Sequence, residues 1–423
     1  MLLKVYFPLF SNNLQSKKFS ATGSNPGVGG TDFTSIRSAF LLANAKPEWM
    51  IVLVNTVQIN IEESSSKVKQ EFFENPSDFF ESLIDDESFV VIAPALLLKR
   101  VNIGALKKIE SHIVCWSRHP FDIESSRLAS TVGLQSVVCV GNYQFFSNKN
   151  IKSQIHFIQN IFISPKCDFS RNRKPPNIKQ INIVHLGALV PGKGFSKIAK
   201  AWRHLKESFP GVKLHVIGSS ATYGKNPEFD LIPTSKSYAQ EILKFIPEED
   251  IRNGEVIFYG NLGTEKIDII SKCDLAILNP TGWSEAFPAS VLECMSCGLP
   301  VIASDDYGMS DAMRFFPELV IQGHKKIVDK VRFTVEDPLR YQELQQRSLS
   351  VAQWFESQND LVITRWIRLI ESISNKSIQD LSLLPTMPFY GNKLKLALRL
   401  MLPHPEAVRH YGRSLLKALR VRR

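Results

Sequence analysis

Short apolar runs alternate with longer amphipathic stretches along most of the chain. In the first half the runs fall at residues 2–8, 50–55, 89–93, 112–117, 136–140 and 156–162. Each is of strand length, and amphipathic stretches such as 33–43 and 76–83 separate them at helical spacing. Continuous apolar strands spaced through helices predict a parallel sheet covered on both faces. A polar stretch, Ser170-Arg171-Asn172-Arg173-Lys174-Pro175-Pro176-Asn177, then interrupts the pattern and reads as a linker. A second series follows at 181–186, 212–217, 256–259, 275–278, 301–303 and 319–321. The expectation is an α/β protein with two Rossmann-like, doubly wound domains facing each other across a cleft. Ligands in such sheets bind beyond the carboxyl ends of the strands. A stretch rich in Trp and Ile near residues 354–373 predicts one more long helix.

Length and composition fit this picture. A chain of 423 residues has room for two domains, and 44% hydrophobic with 22% charged residues is ordinary for a globular protein. The longest apolar run, residues 89–98, is too short to cross a bilayer. Residues 2–8 carry Lys4 and show no small-residue cleavage site, so they read as a first strand and not as a signal peptide. Cys115, Cys139, Cys273 and Cys294 sit in apolar runs, as buried free thiols of a reducing compartment do. Cys294 and Cys297 form a C-x-x-C, but with no second pair or His cluster beside it the reading is simple packing.

Charge is uneven. Of the formal +10, the last 33 residues hold +8: nine Lys and Arg stand there against Glu406 alone, interleaved with Leu at near-helical spacing. A basic amphipathic tail over 377–423 reads either as an element for an anionic membrane surface or as a solvated helix docked on the body. No aromatic-plus-basic platform or zinc pattern points to nucleic acid.

Four segments carry candidate chemistry. Gly23-Ser24-Asn25-Pro26-Gly27-Val28-Gly29-Gly30-Thr31 follows the first strand and opens a helix, with Thr31 as its expected N-cap. Trp116-Ser117-Arg118-His119-Pro120 ends the fourth strand and places His119 and Arg118 where parallel-sheet proteins keep their ligands. Gly187-Ala188-Leu189-Val190-Pro191-Gly192-Lys193-Gly194 has the G-x-x-x-x-G-K of a phosphate loop, but Gly194 replaces the hydroxyl residue that would hold magnesium, which argues against an ATPase. The fourth and most informative is the run from Ser284 to Ala303. An apolar strand and Asn279-Pro280 lead into Glu285-Ala286-Phe287-Pro288-Ala289-Ser290-Val291-Leu292-Glu293, with Pro288 expected in the first helical turn, and Cys294-Met295-Ser296-Cys297-Gly298-Leu299-Pro300-Val301-Ile302-Ala303 follows. Two glutamates eight positions apart, one in the loop and one in the helix, bracket a helix N-terminus suited to a phosphate.

This run resembles the Glu-x7-Glu signature of the retaining, nucleotide-sugar-dependent glycosyltransferases of group 1, which have the GT-B fold. The family usually shows Glu-Gly-Phe-Gly where this chain has Glu285-Ala286-Phe287-Pro288. Its Gly-Arg-Leu-x-x-x-Lys-Gly loop is matched at Lys193, but Ala188 stands in the Arg position. The resemblance implies an N-terminal acceptor-side domain over 1–169, a linker over 170–179, a nucleotide-sugar domain over 180–353 and a helix over 354–376 returning to the first domain. It implies that Glu285 holds the donor sugar and Glu293 the ribose. Lys193 and the N–H groups near Phe287, Pro288, Ala289 and Ser290 would then face the diphosphate, and Gly29 and Gly30 the diphosphate or acceptor. His119 would meet the sugar from the first domain, and Tyr259, Asn261 and Leu262 the base side.

The implied activity is transfer of a sugar from a UDP- or GDP-sugar to an acceptor hydroxyl with retention, in surface polysaccharide, lipopolysaccharide or glycolipid synthesis. The acceptor would be a glycan or a lipid-linked molecule. With no Asp-x-Asp in the chain, no metal is expected. The alternatives are a catalytically inactive nucleotide-sugar-binding protein and a sugar-nucleotide epimerase of the same fold. The expected location is cytoplasmic, peripheral on the inner face of the membrane if the tail binds lipid.

Overall fold

The structure is a computed structural model and describes residues 2–20, 22–62, 67–119, 123–147, 153–167, 175–223, 227–375 and 377. The expected basic tail therefore lies, save Ser377, outside the described residues, as do residues 170–174 of the expected linker and Pro120.

The first lobe holds strands β1 (Lys4–Pro8), β2 (Lys18–Phe19), β3 (Met50–Asn55), β4 (Asn60–Ile61), β5 (Val68–Phe72), β6 (Phe89–Pro94), β7 (Ile113–Ser117), β8 (Ser136–Cys139) and β9 (Gln154–Phe157). Seven of them form one sheet in the order β5-β3-β1-β6-β7-β8-β9, every pair parallel. Strands β2 and β4 make a small separate pair. The second lobe holds β10 (Asn182–Leu186), β11 (Lys213–Ile217), β12 (Val256–Gly260), β13 (Leu275–Leu278) and β14 (Val301–Ala303). Its sheet runs β12-β11-β10-β13-β14, again all parallel. Both lobes are thus doubly wound, as the alternation of runs predicts. The central strands are buried on both faces: every residue of β6, β7, β13 and β14 is inside. That is why they read as continuous apolar runs and not as alternating ones.

The last helices among the described residues are Pro338–Ser357 and Asn359–Ser374, separated at Gln358. The first packs on helix Ala289–Ser296 of the second lobe. The second crosses to the first lobe, where Trp366 meets Trp116 edge-on at 4.8 Å between ring centroids. Both indoles are fully buried. Lys46 and Glu371 pair at 2.7 Å across the same seam, and Arg365 donates to the Phe157 carbonyl at 2.7 Å.

Several expectations are corrected. Residues 319–321 form no strand: Pro317–Leu319 is a 3-10 turn, and only Val320 bridges to Ala303. Strand β5 escapes the pattern because Lys69, Gln70 and Glu71 give it a polar, edge-like composition. Helix Gly30–Ala45 begins one residue before Thr31, with Gly29 as its N-cap. Cys297 does not merely pack beside Cys294; it is disulfide-bonded to Cys167, 130 residues away. Cys115, Cys139, Cys273 and Cys294 are free and buried. Among the described residues no helix is long and apolar enough to cross a membrane.

Two core histidines make stability sensitive to acid. His156 on β9 is buried with neither ring nitrogen hydrogen-bonded, and His185 on β10 is buried with Nδ1 3.0 Å from the Ile277 carbonyl. Burial pushes both down to about 4. Their ordinary value is near 6.5, so the folded state binds fewer protons than the unfolded one between those limits. Their contribution is complete above about pH 6.5 and is lost as the pH falls toward about 4, by up to about 1.4 kcal/mol per pH unit for each histidine. Denaturant midpoints measured from pH 7.5 to 4.5 should fall in that window, and His185→Phe should flatten the decline.

Candidate functional site

In each sheet the winding reverses beside the first strand, between β1 and β6 and between β10 and β13. Loops leaving such strands part toward opposite faces and leave a crevice at the carboxyl edge. In this protein the two crevices meet. A cavity of about 190 Å3 is lined from the second lobe by the loops after β10, β11, β12 and β13, and from the first lobe by the Gly-rich loop.

The Gly-rich loop is shaped by Asn25. Its side-chain oxygen accepts from the Gly27 and Val28 backbone N–H groups at 2.9 Å each, and its amide donates to the Val28 carbonyl at 3.0 Å. Gly27 has φ +91°, and a Cβ there would stand 3.0 Å from the Leu262 carbonyl oxygen. Glycine is needed for both reasons, and the close approach brings the two lobes together over the cavity.

The loop after β13 carries Glu285. Its backbone bends sharply: Asn279 has φ +29° and Ser284 +61°, unusual for residues with a Cβ. The turn is held by Asn279 Nδ2 donating to the Trp283 carbonyl at 3.1 Å, by Thr281 Oγ1 donating to Asn279 Oδ1 at 2.9 Å, and by Gly308 N–H donating to the Glu285 carbonyl at 3.1 Å. Such strain persists where surrounding contacts over-determine it. The Glu285 carboxylate accepts from Lys193 Nζ at 2.6 Å, each side chain about one-seventh exposed. Helix Ala289–Ser296 then starts from Pro288, which is the N-cap and not a member of the first turn. The helix aims its positive end at the cavity, where Ala289 and Ser290 line the wall. Phe287 lies against Phe355, with ring centroids 6.0 Å apart.

Glu293 sits about one turn along the same helix. Lys266, which opens helix Lys266–Ile270, donates to both of its carboxylate oxygens, at 2.9 and 3.0 Å. The cavity wall therefore carries two Lys–Glu pairs. From the first lobe, Arg37 on helix Gly30–Ala45 adds positive charge. Burial pushes its guanidinium down to about 10, opposed by the negative charges of Glu293 and Glu356.

Lys193, Glu285, Glu293, Gly30, Asn261, Leu262, Phe287, Ala289 and Ser290 all line this one cavity. Gly29, Pro288, Tyr259 and His119 do not. The Tyr259 hydroxyl lies 2.9 Å from His215 Nδ1, on the far side of its strand. His119 is half-buried just past β7, its carbonyl accepting from Gln144 Nε2 at 2.6 Å and Ser117 Oγ at 3.1 Å. Arg118 is also away from the cavity. It lies over the Trp116 ring at 3.2 Å and donates to the Thr31 carbonyl and Ser35 Oγ. Burial holds it well below the usual guanidinium range, with Asp32 opposing.

Ala188, in the expected Arg position, lines the cavity beside Lys193. Sequence reasoning missed Lys266 and Thr222, and it passed over Asn25 within a segment it had singled out. Asn25 has a signal, since Asn two residues before Gly favours a local turn. Lys266 has none, because nothing in Gly263-Thr264-Glu265-Lys266 distinguishes a buried lysine from a solvated one. Among the described residues no group of three or more His, Cys, Asp or Glu side chains is placed to hold a metal ion.

A second contact between the lobes lies behind Glu285. Asn142 donates its backbone N–H and its side-chain amide to the two oxygens of Asp311, each at 3.0 Å. Burial raises the Asp311 carboxyl above its ordinary value, opposed by these bonds. Tyr143 and Tyr307 meet at 4.8 Å between ring centroids.

Known proteins resemble the chain as follows. Residues 168–350 match the family model of glycosyl transferases group 1. Crystalline HepE of Anabaena, in complex with UDP-glucose, superposes with a TM-score of 0.59 at 14% identity, covering 87% of this chain and all of that one (100%). Sucrose-phosphate synthase of Thermosynechococcus elongatus gives a TM-score of 0.62 at 12% identity, covering 89% and 100%. A glycosyltransferase of Rickettsia africae gives 0.60 at 13%, covering 88% and 98%. At such identities the likeness is one of fold. No curated protein sequence matches the chain.

The backbone behind Glu285 leaves no room for side chains. A Cβ at Gly308 would lie 2.3 Å from the Ala286 carbonyl atoms, and one at Gly141, from the other lobe, 2.4 Å from the Ala286 oxygen. Gly308→Ala and Gly141→Ala should each lower unfolding free energy by about 1–3 kcal/mol, read from denaturant titration, whereas Gly30→Ala, with nothing within 4 Å, should be near neutral or stabilising.

Proposed function

We propose that the protein transfers a sugar from a nucleoside-diphosphate sugar to an acceptor hydroxyl with retention at the anomeric carbon, a reading supported by the match of residues 168–350 to the group 1 glycosyltransferase model and by the two-lobed GT-B fold. The observation that carries this reading is the cavity itself: two carboxylates, one lysine paired to each, and a helix N-terminus between them. The spacing suits a ligand with a polar group at each end and phosphates in the middle. UDP-glucose in the HepE complex is a ligand of that class.

In the proposed reaction the bond from the anomeric carbon to the diphosphate oxygen breaks, and a bond to the acceptor oxygen forms on the same face. The acceptor proton passes to the departing diphosphate. That leaving group carries the developing charge, and its stabilisation is the main task of the protein. Lys193 and the N-terminal end of helix Ala289–Ser296 supply it. Glu285 holds the hydroxyls of the donor sugar and Glu293 those of the ribose, fixing the donor along the crevice. Lys193 and Glu285 pair at 2.6 Å. A bound diphosphate would draw the ammonium toward itself and leave Glu285 its sugar contacts. His119 is assigned to the sugar from the first lobe, reaching it on further closure. Asn261 and Leu262 are assigned to the base side, with Tyr259 behind them. Gly29 and Gly30 close over the diphosphate or acceptor and exclude water. The acceptor is a surface glycan, lipopolysaccharide or glycolipid precursor, with the basic tail seating the enzyme on an anionic inner membrane face from the cytoplasm.

Ala188 favours a second reading, a nucleotide-sugar-binding protein without turnover, because a lone lysine is a weaker diphosphate clamp than a lysine with an arginine. A panel of UDP- and GDP-sugars separates the two. A matching donor should raise the melting temperature under either reading, and only the enzyme should then release free nucleotide in the presence of an acceptor. Glu285→Ala and Lys193→Ala should each cut transfer by roughly 100-fold or more while melting near the wild-type temperature. Normal turnover in both variants would refute the assignment.

A further inference from the structure

Lys266 and Glu293 form the more buried of the two ion pairs in the cavity wall, with the lysine side chain only 6% exposed. Withdrawing an ammonium this far from water is costly unless its partner is well placed. Here the partner is held by both oxygens. A carboxylate offers about four lone-pair sites, two on each oxygen, and an ammonium has three N–H donors. Lys266 therefore occupies one site on each Glu293 oxygen and leaves one on each. It also fixes the carboxylate plane, since rotation would break one of the two bonds. What remains toward the cavity is a rigid pair of acceptors on adjacent oxygens, matched to two neighbouring hydroxyl donors.

We propose that Lys266 is a positioning residue that sets the selectivity of the site for a vicinal diol, and so for the ribose and not the 2′-deoxyribose form of the donor nucleotide. The proposal rests on the donor-binding reading above, in which Glu293 meets the pentose. It differs from a second reading of the same lysine, in which Lys266 supplies charge to the diphosphate in place of the arginine that Ala188 lacks. The diol role acts on one end of the ligand only. The charge role acts on every diphosphate alike, whatever the sugar.

Calorimetry on the full chain with UDP and GDP, each beside its 2′-deoxy counterpart, distinguishes these roles. The wild type should bind the better ribonucleotide roughly tenfold to a hundredfold more tightly than its deoxy form, the range for one hydrogen bond to a charged acceptor. Lys266→Met should reduce that ratio severalfold, mainly by weakening the ribonucleotide, and Lys266→Arg should restore most of it. In a Glu293→Gln background the ratio should already be low, and adding Lys266→Met should not lower it further. Equal weakening of ribo and deoxy ligands in Lys266→Met, with the ratio intact, would overturn the proposal in favour of the charge role. A full ratio in Lys266→Met with unchanged affinity would overturn both. Should Lys266→Met fail to fold, Lys266→Gln takes its place with the same two outcomes, a reduced ratio supporting the proposal and an intact ratio overturning it. Binding of neither diphosphate by the wild type would instead overturn the donor reading, and this inference with it.

Discussion

At β10 and β13 the second sheet reverses its direction of winding, and the loops leaving those two adjacent strands part to opposite faces. Both acids of the cavity and Lys193 depend on that divergence. Lys193 comes from the loop after β10 and Glu285 from the loop after β13, 92 residues apart in sequence and 2.6 Å apart in space. A parallel sheet can bring such distant loops together because each crossover returns the chain to the same edge. The strained turn at Asn279 and Ser284 is tolerated at that edge because the β13 loop is tied down on both sides, by its own side chains and by Gly308.

Charge in the cavity is arranged in self-compensating units. Each acid that faces the crevice has a lysine from its own lobe, and neither lysine depends on the opposite lobe for neutralisation. The first lobe contributes backbone and the buried Arg37 more than side chains that reach the wall. Opening and closing of the crevice therefore need not separate either Lys–Glu pair, a separation that would cost several kcal/mol each time. The lobes are held instead by uncharged close packing at Gly27 and Leu262, by the Asn142–Asp311 bonds, and by helix Asn359–Ser374.

The double winding, most strands, and the two acids with Lys193 were legible in the chain, because continuous apolar runs and the Glu285–Glu293 segment are local patterns. What was not legible depended on three-dimensional packing. Lys266 sits in a polar stretch whose burial is decided by the helix that Glu293 occupies. Cys167 and Cys297 are joined across a separation no spacing rule reads. Strand β5 is polar because it lies at the sheet edge, and Pro317–Leu319 tightens into a turn although its neighbours are apolar. Tyr259 stands outside the cavity lining while Asn261 and Leu262, just beyond it, are within: its hydroxyl meets His215, and successive residues of a strand point to opposite faces.

The helix Asn359–Ser374 follows one packed on the second lobe, yet it lies on the first from its first residue, where Asn359 exchanges hydrogen bonds with Phe162, to Trp366, which fills a place in the core around Trp116. The spatial division of the molecule thus differs from its division along the chain. Separating the halves at the linker would strand that indole on the wrong fragment and leave an apolar socket open on the other. Hybrids between relatives of this architecture would need two junctions, one in the linker and one near Gln358, so that helix Asn359–Ser374 travels with the N-terminal sheet.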